Sequence, residues 1–178
     1  MTDDAFSDLR YPIGPFRPPK QMSANDRHQA IAAIGAAPAK LRAAIAGLSD
    51  GQLDTAYRDG GWTIRQVVHH LPDSHMNAYV RMKLTVTEDV PTICTYDQER
   101  WAELPDSTGP IDPSLQILEG LHRRWSVFLG TLTDDAWHRR LVHPEMGTIT
   151  LESLLALYAW HGVHHTAQIT ALRERRDW

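Results

Sequence analysis

Apolar residues recur at helical spacing in four long stretches of the chain, and almost nowhere at the two-residue spacing of a strand. Residues 23 to about 47 form an alanine-rich pattern containing Pro38. Proline has no backbone N–H, so a kink or a split is expected there. A second stretch opens at Gly60-Gly61-Trp62-Thr63, where Thr63 followed by Gln66 has capping-box spacing. It carries the stripe Ile64, Val67, Val68, Leu71, Ala78, Tyr79, Met82 to about Val86. Asp112-Pro113 places an N-cap before a first-turn proline and opens a third helix with Leu115, Leu118, Leu121, Trp125, Phe128, Leu129 and Leu132. The fourth covers about 151–175 on Leu151, Leu154, Leu155, Tyr158, Ile169 and Leu172; its arginine-rich end suits the negative pole of a helix.

Between these stretches lie breakers. Residues 1–22 hold Pro12, Pro15, Pro18 and Pro19 with Tyr11, Ile13 and Phe16 between them, which predicts an extended arm on the bundle surface. Residues 87–112 hold Pro91, Pro105, Gly109 and Pro110 and predict a long crossover with a short helix near 98–104. Residues 139–150 allow a small hairpin around Pro144 and Gly147. Leu48-Ser49-Asp50 precedes the second helix much as Leu132-Thr133-Asp134 precedes the fourth, an echo suggesting two related helix pairs. The sum is an all-α, four-helix bundle with one long crossover and a proline-rich N-terminal arm.

Length and charge narrow the classes. A chain of 178 residues suits one domain. Its 18 basic and 22 acidic residues give a net charge of −4 without a long block of either sign, which argues against nucleic acid and anionic membranes as partners. Cys94 is the only cysteine, so no intrachain disulfide can form. With no basic-apolar leader and no apolar run near the ~20 residues of a membrane span, a cytoplasmic protein is expected.

The chemistry lies in the histidines. At ~100° per residue, His165 falls near the centre of the fourth stripe and His161 about 50° away, so the two project inward one turn apart. His70 lies about a quarter turn from the second stripe while His69 points nearly opposite, which favours His70 as an inward-reaching ligand. His75 and His122 also sit on inner faces, where a lone histidine is usually a hydrogen-bonded core residue. Three neutral imidazoles around one divalent ion leave a coordination position open, as in catalytic centres. Residue 162 is glycine, which excludes the glutamate-containing metalloprotease signature.

The stretch Gly60-Gly61-Trp62-Thr63-Ile64-Arg65-Gln66-Val67-Val68-His69-His70-Leu71, with Asp73-Ser74-His75-Met76-Asn77, Tyr158-Ala159-Trp160-His161 and His164-His165-Thr166-Ala167, closely resembles the YfiT group of the DinB-like superfamily. Leu9-Arg10-Tyr11-Pro12-Ile13-Gly14 and Thr55-Ala56-Tyr57-Arg58-Asp59 extend the resemblance over nearly the whole chain. It implies a four-helix bundle, commonly a homodimer, with one zinc or nickel ion per chain on His70, His161 and His165. The group is conventionally labelled metal-dependent hydrolase; wider relatives transfer or isomerise with bacillithiol, mycothiol or glutathione. Two departures stand out. Gln168 stands where close relatives are expected to carry another histidine, and Pro72 sits inside the second helix, where it removes the backbone bond to Val68.

These readings predict a three-histidine enzyme that activates a thiol or water toward a small electrophile, with thiol S-transfer preferred and ester or amide hydrolysis as the alternative. Tyr96 and Trp101 of the crossover, with His122 and Gln168, are the expected pocket residues. Asp73 is expected toward solvent, Cys94 incidental, and Trp62 a packing residue. A bundle merely stapled by metal, or an interaction module with a histidine core, are the non-enzymatic alternatives.

Overall fold

The computed structural model describes residues 8–178, so residues 1–7 of the expected arm lie outside the described part. From Asp8 to Met22 the arm is neither helix nor strand. It lies on the last helix through Tyr11 against His164 and Phe16 against Trp160, with ring centroids 5.6 and 5.8 Å apart.

Four long helices follow at the expected places: α1 (Ala24–Ile45), α3 (Ile64–Thr87), α5 (Asp112–Gly130) and α7 (Leu151–Arg176). Their starts are chemically marked. Ser23 and Asp26 cap α1 reciprocally, and Thr63 and Gln66 do the same for α3 as their spacing predicts. α5 departs by one residue. Ile111 already has helical backbone angles and takes the cap position, so Asp112 enters the first turn, where its charge still meets the positive end of the helix. Pro38 does not split α1, which continues through it.

Short elements fill the connections. α2 (Asp50–Leu53) starts at a Ser49/Gln52 capping box, and α6 (Asp134–Trp137) starts after Thr133, so each half of the echoed motif begins a single turn. α4 (Gln98–Ala102) and a 3-10 turn (Pro105–Thr108) occupy the crossover. The hairpin forms from β1 (Arg140–His143) and β2 (Gly147–Thr150), antiparallel, with Arg140 opposite Thr150. Its β1 also bonds the crossover: Ile93 N–H donates to the Val142 carbonyl at 3.1 Å, and Val142 N–H to that of Pro91 at 2.9 Å.

Packing pairs α1 with α5 and α7, and α3 with the same two helices. The apolar core falls into two clusters. One gathers Ile34, Met82, Trp125, Leu129, Leu154 and Leu155; the other gathers Leu41, Ile64, Val67, Leu118, Ile169 and Leu172. Along every long helix the change from one cluster to the other falls at a polar or helix-breaking position: Pro38 on α1, His75 on α3, His122 on α5, and His161 with His165 on α7. A layer of imidazoles therefore separates two hydrophobic halves.

Two contacts hold that layer in place. Gly162, between the two α7 histidines, lets α7 approach α1 so closely that an added Cβ would lie 3.1 Å from the Ala37 Cβ. Buried Arg65 reaches from α3 to Asp54 at 2.6 Å, Asp50 at 2.9 Å and the Gly109 carbonyl at 3.2 Å, tying α2 and the crossover to the helix that carries His70. Among the described residues no helix is long and apolar enough to cross a membrane.

Replacing Gly162 by Val overpacks the α1–α7 contact and is expected to lower stability by about 1–3 kcal/mol in urea denaturation. Gly120→Ala on α5, where a new Cβ meets nothing within 4 Å, should instead gain roughly 0.4–1 kcal/mol. Equal effects at the two sites would contradict the close approach at Gly162.

Candidate metal centre

His70 of α3 and His161 and His165 of α7 each offer a ring nitrogen, and these three nitrogens lie within 4.8 Å of one another. Ring centroids are 5.3 Å apart for His70–His161, 5.0 Å for His70–His165 and 4.5 Å for His161–His165. His70 and His165 are buried, and His161 keeps part of its surface open. Trp62 covers the group, its ring 4.6 Å from His70 and stacked over His165 at 6.4 Å; Glu99 holds the indole N–H at 2.8 Å.

Hydrogen bonds fix where the protons sit. Pro38 has no N–H to offer the carbonyl of Ile34, four residues back in α1, and that carbonyl instead receives His122 Nδ1 at 2.6 Å. A carbonyl only accepts, so Nδ1 of His122 carries the proton and its Nε2 is a lone pair. His75 Nδ1 donates to that Nε2 at 2.7 Å, and His161 Nδ1 donates to His75 Nε2 at 3.0 Å. Three proton positions thus follow from one backbone oxygen, and the His161 Nε2 lone pair is left facing His70. Gln168 performs the same service for His165. Its amide N–H donates to the Arg10 carbonyl at 2.9 Å and lies 3.1 Å from His164 Nε2, so its oxygen accepts from His165 Nδ1 at 2.8 Å.

The donor set fits a divalent ion. Burial pushes His70 down to about 4, and burial first, then neighbouring imidazoles, holds His75, His161 and His165 well below the ordinary histidine value. Neutral rings are what coordination requires. The Nε2 atoms of His70 and His161 are 3.4 Å apart, and tetrahedral zinc with ~2.0–2.1 Å bonds would hold two nitrogens about 3.4 Å apart.

Two cavities meet at His161 and Gln98. One, of about 340 Å³, is lined by Arg10, Arg58, Trp62, His165 and Gln168; the other, of about 570 Å³, by Ser74, Arg81, Tyr96, His143 and Tyr158. A wider hollow of about 880 Å³, walled by Tyr57, Arg58, Leu172 and Arg175, has no histidine in it.

The structure brings the three phase-selected histidines together, and it places Gln168 and Tyr96 on the two cavities. His122 and Trp101 are elsewhere. His122 is turned toward His75 because its two ring nitrogens are used by His75 and Ile34, and it borders only an outer groove between α1 and α5. Trp101 is exposed and packs on Tyr96, centroids 4.4 Å apart, outside both cavities. His69 is on the opposite side of α3 from the cluster, as expected, yet buried, held by Ser114 at 2.8 Å and the Gly109 carbonyl at 3.1 Å. Asp73 is half-buried rather than solvent-facing, and its carboxyl is pushed up to about 6 by burial, with Asp106 nearby. Trp62, Ser74, Arg81 and His143 escaped the sequence reading as site residues. One signal existed: His70, Ser74 and Arg81, four and then seven residues apart, share a face of α3.

Comparisons with known proteins show the family and the fold. The sequence profile of the DinB superfamily matches residues 33–169. The Bacillus subtilis protein named "Putative metal-dependent hydrolase YfiT" is 49% identical over 172 residues, covering 96% of this chain and 97% of its own. A Geobacillus kaustophilus protein with the same functional name is 50% identical over 173 residues, with the same coverage of both chains. The solved structure of Bacillus subtilis YfiT, described as a probable metal-dependent hydrolase with an unusual four-helix bundle topology, superposes with a TM-score of 0.93 at 49% identity over 96% of this chain and 98% of that one. The four-helix bundle protein TT2238 shares the fold, with a TM-score of 0.52 and 16% identity over 85% of this chain and 99% of its own.

The histidine layer makes the metal-free chain sensitive to acid. Its imidazoles stay neutral when folded, whereas unfolded ones take up protons below ~6.5, so the unfolded state binds more protons from there down to about 4 and stability falls with pH. His70 alone contributes on the order of 3 kcal/mol to that loss. Thermal melts after chelation should show the midpoint dropping steadily from pH 7 to 4.5; a flat midpoint would contradict buried neutral rings.

Proposed function

The chain belongs to the DinB superfamily, and from that premise we propose that it is a metal-dependent enzyme whose His70, His161 and His165 hold one zinc or nickel ion and activate a low-molecular-weight thiol for transfer to a small electrophile. The observation that carries this reading is that His161, one of the three clustered histidines, lines two separate cavities, with His165 on the smaller of them. Transfer between two organic molecules needs room for both beside one centre. Water needs none of its own.

A divalent ion in this donor set keeps its full positive charge, which favours the deprotonated form of a coordinated thiol or water. The protein residues do the rest. His75 and Gln168 hold the protons of His161 and His165 on the outward Nδ1 atoms, so both lone pairs point inward. Trp62 closes one side of the cluster against solvent. Arg10 and Arg58 line the smaller cavity and suit an acidic thiol such as bacillithiol, leaving the larger cavity for the electrophile. Hydrolysis of a small ester or amide is the second reading, favoured by the names of the relatives with about half their residues identical.

Protein purified without chelators should contain about one zinc or nickel per chain by elemental analysis. His161→Ala should lose it while retaining its helical circular-dichroism spectrum, and His75→Phe should weaken affinity by roughly 10–100-fold. Full occupancy in His161→Ala would refute the ligand assignment.

Reaction class separates in a second assay. Metal-loaded protein given monochlorobimane should form conjugate only when bacillithiol, mycothiol or glutathione is added. Turnover of nitrophenyl esters without thiol, with no conjugate formed, would select hydrolysis.

A further inference from the structure

The larger cavity contains a buried cation that the metal centre does not use. Arg81 is only 7% exposed, yet among the described residues no carboxylate comes within 4.0 Å of its guanidinium nitrogens. One terminal nitrogen donates to the Cys94 carbonyl at 2.6 Å, and its Nε has no hydrogen-bond partner among the described residues. Arginines this buried are rarely left without an anion, because an uncompensated charge away from water is strongly unfavourable. Arg81 lines the same cavity as His161, so an anion bound to it would sit beside the three-histidine cluster.

The surrounding groups are donors. Ser74 lies one turn beyond His70 on α3, and the phenols of Tyr96 and Tyr158 adjoin it. Burial raises Tyr96 to about 12 and raises Tyr158 as well, so both remain O–H donors at neutral pH. Backbone N–H groups of Glu145 and Met146 donate to His143 Nδ1 at 3.2 and 3.4 Å, which leaves the proton of its neutral ring on Nε2. The two carboxylates in the wall, Asp97 and Glu145, are exposed residues of its rim, and Asp97 is engaged in capping α4. The inner wall meets the cation only with neutral groups, the Cys94 carbonyl and the Tyr158 phenol, so no charge there compensates it.

We infer that this cavity is an oxyanion subsite: Arg81, Ser74, Tyr96 and Tyr158 bind a carboxylate or phosphate group of the electrophilic substrate and hold its reactive carbon toward His161. The substrate class is therefore a small organic acid or phosphate ester carrying an electrophilic centre. The assignment rests on reading the three-histidine cluster as the reaction centre. The anion site itself does not require metal.

That independence makes the test discriminating. Isothermal titration with benzoate, inorganic phosphate and, as the uncharged control, benzamide is run at constant ionic strength on both chelated and zinc-loaded protein. Saturable binding of at least one anion to the chelated protein is expected, with no binding of benzamide. Arg81→Met should weaken the anion at least about tenfold, and Tyr96→Phe, which removes a single donor from the crossover, should weaken it by a smaller factor. The tighter anion identifies the acid group of the substrate. Anion binding confined to zinc-loaded protein, or binding unchanged in folded Arg81→Met and in Tyr96→Phe, would overturn the subsite. Anion binding to chelated protein together with failure to take up zinc would instead leave the subsite standing and remove the metal reading.

Discussion

One absent hydrogen organises the centre of this protein. Because Pro38 cannot donate to the Ile34 carbonyl, that oxygen is available to His122, and the proton order it imposes passes through His75 to His161. Each ring in the series can adopt only one neutral tautomer while the hydrogen bonds last. A residue that ordinarily weakens a helix interior therefore specifies, from α1, the direction of a lone pair on α7. The two helices are in contact at this level because Gly162 carries no side chain opposite Ala37.

The cost of that arrangement is a core divided in two. Buried polar groups without partners are expensive, and a half-satisfied network is worse than an apolar interior. Here the layer is nearly complete: His122, His75, His161, His165 and Gln168 all have partners. The remaining pair is His70 Nε2 and His161 Nε2, 3.4 Å apart, which the bound cation of the proposed function would bridge. The buried Nδ1 of His164 is without a partner among the described residues, though its ring is sandwiched between Trp160 and the arm through Tyr11.

Local chemistry was legible in the sequence and tertiary chemistry was not. Thr63 and Gln66 announce the start of α3 because the capping box involves only neighbours. Helical phase separates His70 from His69 because both belong to one helix. It could not show that His69 is buried, since the cover comes from Gly109 and Ser114, forty and more residues later. The single turns α2 and α6 are too short to leave a periodic signature. His122 and Trp101 were sensible pocket candidates by face and by loop, yet the freed carbonyl of Ile34 turns the first away and Tyr96 shields the second. Arg81 drew no reading from the sequence, because a one-dimensional pattern does not reveal which side chains surround a cation.

The backbone bonds joining Pro91 and Ile93 to Val142 make the crossover and the hairpin a single piece of architecture. Tyr96 and His143 both line the larger cavity, and each grows from one member of that joint, which gives the cavity two tethered banks. Neither bank can drift without tearing main-chain pairing, so the width of the chamber is set by the frame. The exposed side chains at Thr95 and Glu145, which lie beyond the paired stretch, can then vary its rim without disturbing that frame.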